Sequence, residues 1–365
     1  MKTSKQIGAQ ICYEYNIRYP VFGFAHSVNA VIAITNAGGL GVFGGTRSTP
    51  EEIEQAMCTI RAAVGDKPFG IDLVMPPGMP ERDDREAIES ELPQKHKKFV
   101  AQLYEKYQIP PASQAGMRSR FVRSTQVEDQ QLEAIMASDV NLFACGIGAP
   151  PRAMDQAKAK GKKTCALVGS PHHVQRAKNV GVELIVAQGY DAGAHTGPIG
   201  TYSLVPQIVD AAGDLPVLAA GGVATGRHVA AALALGAVGV WLGTAWLVTK
   251  EHQDHLSPLE QKKLMEASGM DTVISRADSG KTLRQIRSAW SQEWEAESAP
   301  DPLKMPFQDI LVGDLLGAID EHGIEPLVHS PAGQGIGWFN ELTTVAEVMS
   351  QLMKETKIAL GKISV

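Results

Sequence analysis

Short apolar runs alternate with amphipathic stretches along most of the chain. The eight runs read YPVFGFA, GLGVFGG, PFGIDLVM, VNLFACGIG, KTCALVG, VELIVAQG, LPVLAAGG and GVWLGTA. They are apolar at consecutive positions, which is typical of strands that are covered on both faces. The pattern therefore predicts eight parallel strands with a helix after most of them.

Local signals mark where several of these helices begin and end. Thr49 can cap a helix in which Pro50 occupies the first turn. The stretches PRAMDQAKAKG and GRHVAAALALG each end in glycine, the preferred residue just past a helix. Strict strand–helix alternation favours a closed (β/α)8 TIM barrel in the α/β class. The first unit has no dinucleotide-binding glycine fingerprint, which weakens the doubly wound alternative.

Two segments interrupt this alternation, so the chain divides into a barrel over 1–250 and additional parts. Residues 79–138 form a charged helical insertion after the third strand, and 251–329 form a polar helical extension. Residues 330–365 then supply a glycine-rich loop and a closing helix. An insertion after a barrel strand lies over the C-terminal face, where active sites of this fold occur. We expect it to act as a lid or to form a subunit contact, which leaves a homodimer as an open alternative.

Composition and charge exclude several classes of function. The net charge of −6 argues against a nucleic-acid partner, which requires a basic surface. The N-terminal stretch lacks the apolar core of a signal peptide, and no run approaches the ~20 apolar residues of a membrane span. Four scattered cysteines show no metal-ligand spacing and fit a reducing compartment. These features predict a cytoplasmic protein without a metal site or a membrane partner.

Glycines at the ends of the last two strands suggest a phosphate site. Gly221 and Gly222 end the seventh strand, directly before a helix, and Gly243 and Thr244 end the eighth. Free backbone amides at such turns bind phosphate, and barrels place this site after strands seven and eight. Tight turns without a ligand are the alternative. A phosphate site alone does not identify the molecule that carries the phosphate.

Histidines are the candidates for proton transfer. His195 lies past the sixth strand within AQGYDAGAHTG, on the same rim as the phosphate loops. An imidazole suits proton transfer near neutral pH, although a loop histidine can also serve structure alone. His26 ends the first strand and points to the same rim, whereas His172 and His173 begin a helix and are expected to be solvated or structural.

Basic residues of the insertion are a further candidate feature. They could meet an anionic substrate, but acidic residues are interleaved with them, so a solvated helix face is the favoured explanation. The residues are Lys95, Lys97, Lys98, Arg118, Arg120 and Arg123.

Several motifs together resemble the nitronate monooxygenase (2-nitropropane dioxygenase) family. They include NAGGLGVFGG, FGIDL, AQGYDAGAHTG and PVLAAGGVATGRHVAAALALGAVGVWLGT. DTVISRADSGKTLRQIRSAW, AGQGIG and the last helix add to the resemblance, which covers most of the chain outside the insertion. This family also contains NADH-dependent quinone reductases, and flavin-dependent enoyl-acyl-carrier reductases are related to it.

The resemblance implies FMN on the C-terminal rim of the barrel. Gly221, Gly222, Gly243 and Thr244 would hold its phosphate, and His195 would be the base that removes the α-proton of a nitroalkane. His26 would contact the substrate. The other implied cofactor contacts are Phe24, Ala25, Asp72, Gln188, Gly189, Gly193, Ala194, Gly333, Gln334 and Gly335.

This chain departs from the family pattern at three places. Phe24, Ala25 and His26 stand where members usually read PM-A, in a shortened loop. Asp72 occupies a position commonly filled by asparagine; it can accept a hydrogen bond from a flavin but cannot donate one when ionised. Ala194 replaces the second glycine before the histidine. These departures concern the substrate more than the cofactor.

The leading hypothesis is an FMN-dependent monooxygenase that oxidises alkyl nitronates or nitroalkanes with O2 to a carbonyl compound and nitrite. The alternative is an NAD(P)H-dependent flavin reductase or desaturase acting on a quinone, an enone or an acyl thioester. An isomerase or aldolase would need a strand-end lysine or paired carboxylates, and only Asp72 and Asp191 offer themselves. A flavin-binding module without catalysis is the remaining alternative.

Overall fold

The computed structural model describes residues 4–362. The strands are β1 (Val21–Ala25), β2 (Leu40–Gly44), β3 (Gly70–Val74), β4 (Leu142–Gly146), β5 (Lys163–Val168), β6 (Leu184–Gln188), β7 (Ala194–His195), β8 (Val217–Ala220), β9 (Gly239–Leu242), β10 (Thr272–Ser275) and β11 (Leu283–Ile286). The helices are α1 (Ser4–Glu14), α2 (Val28–Asn36), α3 (Pro50–Val64), α4 (Arg85–Glu91), α5 (Gln94–Lys106), α6 (Thr125–Ala137), α7 (Pro151–Ala159), α8 (Pro171–Asn179), α9 (Thr201–Ala212), α10 (Gly226–Ala234), α11 (Thr244–Leu247), α12 (Pro258–Glu266), α13 (Ala289–Glu295), α14 (Phe307–His322) and α15 (Val345–Lys362). Short 3-10 turns occupy Lys250–His252, Gly269–Asp271 and Gln334–Trp338.

The predicted (β/α)8 barrel is confirmed. Strands β1 to β6, β8 and β9 pair in parallel in this order, and β9 pairs with β1 to close the barrel. Each of the eight predicted apolar runs contains one of these strands. A short separate sheet, in the order β10, β11, β7, lies outside the barrel.

Helix boundaries follow the local signals in the sequence. The Thr49 hydroxyl accepts from the amide of Glu52, and the Glu52 carboxylate accepts from the amide of Thr49, which completes a capping box before α3. Gly161 follows α7 and Gly236 follows α10, with φ of 68° and 95°. Glycine adopts these left-handed conformations at little cost, so the chain can turn sharply into the next strand.

Two layers of apolar side chains hold the barrel together. Alternate strand residues such as Phe22, Val42 and Leu218 fill its interior, and Ile11 of α1 and Tyr15 directly after that helix pack against them. The opposite faces of the strands pack against the surrounding helices in a larger core. Asp72 faces the barrel interior, where it lies in register with Gly44 of β2 and Ala144 of β4.

The insertion and the extension share a second core. Buried side chains of α4, α5, α13 and α14 form one cluster that includes Trp290, Trp294 and Leu315. Helix α6 lies within 79–138, yet it packs against α3, and Leu132 and Ile135 belong to the barrel core. The part of 79–138 that stands apart from the barrel therefore ends before α6.

The closing helix α15 packs against α10 and α2 on the outside of the barrel. No helix within residues 4–362 has both the length and the apolar character of a transmembrane segment.

Candidate active site

The C-terminal ends of all eight barrel strands lie on one rim, because the strands are parallel. This rim brings together Phe24 and Ala25 of β1, Asp72 of β3 and Gln188 of β6. It also carries the loops that begin at Gly221 and Gly243. A single face of the barrel therefore holds the residues that the sequence singled out on separate strands.

His195 is fixed by pairing of β7 with β11. Leu283 lies opposite His195 in the register, and the imidazole Nδ1–H donates to the carbonyl oxygen of Thr282 at 3.2 Å. Gln188 Nε2 donates to the carbonyl oxygen of His195 at 2.6 Å. Since a carbonyl can only accept, Nδ1 carries the proton in the neutral ring and Nε2 keeps its lone pair.

The surroundings keep the His195 ring neutral at pH 7. Burial lowers the pKa of His195 to about 4, and the positive charges of Arg123 and Arg118 act in the same direction. The hydrogen bond to Thr282 opposes them without reversing the shift. The ring is therefore unprotonated near neutral pH, and Nε2 is available to accept a proton.

Ala194 adopts a left-handed backbone conformation, with φ of 58°. A residue with a Cβ rarely adopts this conformation, whereas glycine does so freely. This conformation explains why related sequences are expected to carry glycine at this position. In this chain the alanine holds the same turn at a cost.

His26 is one of three histidines that contact one another at the rim. Its Nδ1–H donates to the carbonyl oxygen of Gly44 at 3.0 Å, and its ring stacks on His255 with centroids 5.3 Å apart. His252 meets His255 edge to face at 5.7 Å. Desolvation by the surrounding protein and the charge of His255 lower the pKa of His26 to about 4.

His252 is buried, and neither of its ring nitrogens has a hydrogen-bond partner in the described part of the chain. Burial lowers its pKa to about 3, and His255 and His26 add to this shift. The sequence reasoning did not find His252 and His255. The motif KEHQDH could have indicated them. It places two histidines three residues apart, directly after the last barrel strand and its short helix.

Asp72 is a buried carboxyl that makes no ion pair within the described part of the chain. Its side chain is 4 % exposed, and Oδ2 has no hydrogen-bond partner within residues 4–362. Burial alone raises its pKa to about 7. An unpaired buried carboxyl is costly, so this position calls for a partner from outside the chain or for the neutral form of the acid.

The loops after β8 and β9 fit a phosphate. Gly221 and Gly222 have φ of 102° and 69°, which require glycine, and the amides of residues 221–223 donate no hydrogen bond within the described chain. A cavity of about 310 Å³ opens beside Gly221, Gly222, Gln334 and Gly335. Neither His195 nor Asp72 lines this cavity. It lies beside the loop after β8 and the 333–335 loop.

The 333–335 loop folds back toward the rim. The Gly333 amide donates to Thr244 Oγ1 at 2.9 Å, and the Gln334 amide donates to the carbonyl oxygen of Asp191 at 2.9 Å. It thereby ties together the loops that follow β6 and β9.

Close loop packing accounts for several small residues around His195. A Cβ added to Gly189 would collide with Thr201, and one added to Gly193 would lie 2.8 Å from the backbone of Ala332 and Gly333. The glycines that precede His195 thus let three loops approach each other. By contrast, a Cβ on Gly243 would meet only Phe24, at 3.9 Å.

The basic residues of the insertion divide into two groups. Lys95 and Lys98 lie exposed on α5 and Lys97 is half-buried, as a solvated helix face requires. Arg120 instead pairs with Glu52, and Arg118 and Arg123 point toward the rim, where their charges act on His195. His172 and His173 are exposed, as expected.

Arg118 joins an ion-pair network with Arg47, Asp278 and Asp309. Arg47 contacts Asp309 at 2.6 Å, and Arg118 contacts Asp278 at 3.0 Å and Asp309 at 3.7 Å. Burial opposes ionisation of Asp278, but His329 and Arg118 hold its pKa below the usual range. The network links the barrel, the insertion and the extension at the edge of the site.

Comparison with known proteins identifies the family. The family model described as nitronate monooxygenase matches residues 7–355. The chain belongs to the nitronate monooxygenase family. A Bacillus subtilis protein named probable nitronate monooxygenase is 30 % identical, covering 93 % of this chain and 95 % of its own. A Mycobacterium tuberculosis protein with a provisional monooxygenase name is 36 % identical, covering 94 % of this chain and 95 % of its own.

Solved structures agree with this assignment at the level of the fold. A nitroalkane oxidase from Streptomyces ansochromogenes superposes with a TM-score of 0.81 at 24 % identity, covering 95 % of this chain and 98 % of its own. FabK from Thermotoga maritima gives a TM-score of 0.74 at 25 % identity, covering 97 % of both chains. Membership of the family makes this chain an oxidoreductase.

Proposed function

We propose that this protein is an FMN-dependent nitronate monooxygenase that oxidises alkyl nitronates or nitroalkanes with O2 to a carbonyl compound and nitrite. The observation that carries the proposal is the placement of His195 on the rim of the barrel, with Nδ1 bonded to the carbonyl oxygen of Thr282 and Nε2 left to accept a proton. Membership of the nitronate monooxygenase family supports the reaction class.

The residues on the rim fit FMN. The amides of residues 221–223 are free to bind the phosphate, and Gly243 and Thr244 would complete that site. Gln188, Gly189, Phe24 and Ala25 would lie along the ring, with Gly193 and Ala194 beside it. The unpartnered Oδ2 of Asp72 offers a polar contact from below, and the 333–335 loop would close the site.

The chain itself would supply position and a proton acceptor. His195 Nε2 takes the α-proton of a neutral nitroalkane, and the electron pair of the broken C–H bond moves onto the nitro group to give the nitronate. Bound flavin supplies the electron transfer and the reaction with O2. His26 lies on the same rim and would contact the substrate.

The experiment that tests this function starts with the absorbance spectrum of the purified protein. We expect the spectrum of a bound flavin, and we expect an anaerobic nitronate solution to bleach it without a nicotinamide. Bleaching by NADPH but not by a nitronate would instead establish the reductase or desaturase alternative. A protein that stays colourless after addition of FMN would overturn both.

We propose O2 as the redox partner, with NAD(P)H taking that place in the reductase alternative. We also propose a cytoplasmic location, which cell fractionation tests, and a homodimeric assembly, which light scattering tests.

A further inference from the structure

Arg284 of β11 contacts the loop that leads from β6 to His195. Its Nε donates to the carbonyl oxygen of Tyr190 at 3.1 Å, and its guanidinium lies over the ring of Tyr190, 4.4 Å from the centroid. Its Nη1 donates to Oγ1 of Thr272, in β10, at 2.8 Å. One side chain therefore joins the loop before β7 to the strand on the far side of the small sheet.

Arg284 is buried without a carboxylate partner. The residue is 2 % exposed, it makes no ion pair among residues 4–362, and its Nη2 has no hydrogen-bond partner there. A buried guanidinium without a counterion costs folding free energy that an apolar side chain of similar length would not cost. The planar group nevertheless meets a carbonyl, a hydroxyl and an aromatic face at the same time, which neither lysine nor methionine can do.

Strand pairing holds the other end of the same loop. Arg284 lies opposite Ala194 in the register, and Leu283 lies opposite His195. Arg284 therefore meets residue 190 through its side chain and residue 194 through the pairing of its strand. Because successive side chains of a strand point to opposite faces, Arg284 lies on the other face of β11 from Leu283, the residue opposite His195. Arg284 thus acts on the loop and does not approach the imidazole itself.

The conformation of Ala194 explains why this loop has to be held. Its φ of 58° is strained for a residue with a Cβ, and such strain persists only where the surrounding structure fixes it. We propose that Arg284 is a positioning residue, which clamps the loop from Tyr190 to Ala194 and thereby keeps the imidazole of His195 in place for proton removal. The effect on proton removal rests on the proposed function, whereas the clamp rests on the contacts of Arg284.

The FMN-loaded Arg284→Met variant tests the effect on proton removal. We expect kcat for a neutral nitroalkane to fall by about tenfold to a hundredfold with little change in KM, because the substrate still binds while His195 is misplaced. Pre-formed nitronates should lose much less, since no proton has to be removed. Arg287→Met is the matched control. Arg287 lies just past β11 and pairs with Glu295 at the surface, so its loss should leave kcat unchanged for both substrate forms.

Replacement of Ala194 by glycine tests the hold on this residue. Glycine adopts a positive φ without strain, so the loop then needs less support. The double variant Arg284→Met, Ala194→Gly should therefore recover part of the lost kcat, about fivefold. Loss of kcat to the same extent with alanine and with glycine at this position would overturn the proposed action of Arg284 on His195.

Hydrogen–deuterium exchange of the purified proteins tests the clamp without a nitroalkane. Peptides that cover 189–196 should exchange about tenfold faster in Arg284→Met than in the parent protein or in Arg287→Met, while peptides of the barrel strands should exchange at the parent rate. Unchanged exchange at 189–196 overturns the clamp even if nitronates are oxidised. Faster exchange there supports the clamp even if nitronates are not substrates. If Arg284→Met does not fold, Thr272→Val decides by the same comparison, because it removes the hydroxyl that accepts from Nη1 and keeps the shape of the side chain.

Discussion

The side-chain amide of Gln188 holds the backbone of His195, with Nε2 donating to the His195 carbonyl oxygen at 2.6 Å. This contact ties the end of β6 to the two-residue strand β7. It therefore sets the position of the imidazole independently of the bond between Nδ1 and Thr282. A residue predicted as a flavin contact thus also positions the candidate base.

Loss of this contact should impair proton removal more than folding. In Gln188→Ala we expect kcat/KM for a neutral nitroalkane to fall by about fivefold, since a hydrogen bond of this kind is worth roughly 1 kcal/mol. The exposed Gln207→Ala in α9 is the matched control and should leave kcat/KM unchanged. An unchanged kcat/KM in Gln188→Ala would show that β7 is held by β11 alone.

Replacement of the candidate base should separate neutral from ionised substrates. His195→Asn removes the Nε2 lone pair, while its amide can still donate to Thr282. We expect the variant to retain FMN and to lose about 10²–10⁴-fold activity toward neutral nitroalkanes. Pre-formed nitronates should lose much less, because no proton has to be removed.

Steady-state rates with both substrate forms, measured on one preparation of His195→Asn, check this prediction. Equal losses on the two forms would mean that His195 positions the substrate and does not take its proton.

The barrel could be predicted because its signals are local. Each strand is a short apolar run such as LPVLAAGG, and each helix start or stop depends on a few neighbouring residues such as Thr49 and Gly236. The rim position of His195 then follows from the fold alone. The two-residue strand β7 has no local signal, since it forms only by pairing with β11, which lies far along the chain.

The features that escaped prediction depend on contacts distant in sequence. The pairing of Arg47 with Asp309 joins residues 262 positions apart, and no local pattern marks it. Helix α6 lies within the predicted insertion, and the packing of its apolar face on the barrel depends on contacts with α3 that no local pattern marks. The three-histidine contact is similar, because His26 and His255 meet only once the barrel closes.

The buried His252 should make the protein sensitive to acid. Its pKa of about 3 in the folded state lies below the ordinary value of 6.5, so the unfolded chain binds the proton more readily. Its contribution to stability is therefore present above pH 6.5 and is lost as the pH falls toward 3. Between pH 6.5 and 4.5 the loss should amount to about 2–3 kcal/mol.

His252→Leu removes this titration, so its free energy of unfolding should fall less between pH 6.5 and 4.5 than that of the parent protein. Urea titrations at several pH values measure the difference. His172→Leu, the same change at an exposed position of α8, should leave the pH dependence as it is. Parallel pH profiles for His252→Leu and the parent protein would contradict the assignment.

Asp72 should have the opposite effect on the pH dependence. Burial raises its pKa from 3.8 to about 7, so the folded protein holds a proton that the unfolded chain releases. The contribution of the neutral Asp72 side chain to stability is therefore fully present below pH 3.8. It is lost as the pH rises through about 7, because the buried side chain then ionises. Across that window the stability of the FMN-free protein should fall by up to about 4 kcal/mol.

Asp72→Asn keeps the shape of the side chain and cannot ionise. In the FMN-free state it should match the parent protein near pH 4 and exceed its melting temperature at pH 8, because only the parent protein then buries a carboxylate. Asp210→Asn removes an exposed carboxylate from α9 and serves as the control. If Asp72→Asn melts at or below the parent temperature at pH 8, Asp72 has a hydrogen-bond donor in the folded protein and is not an unpaired acid awaiting a cofactor.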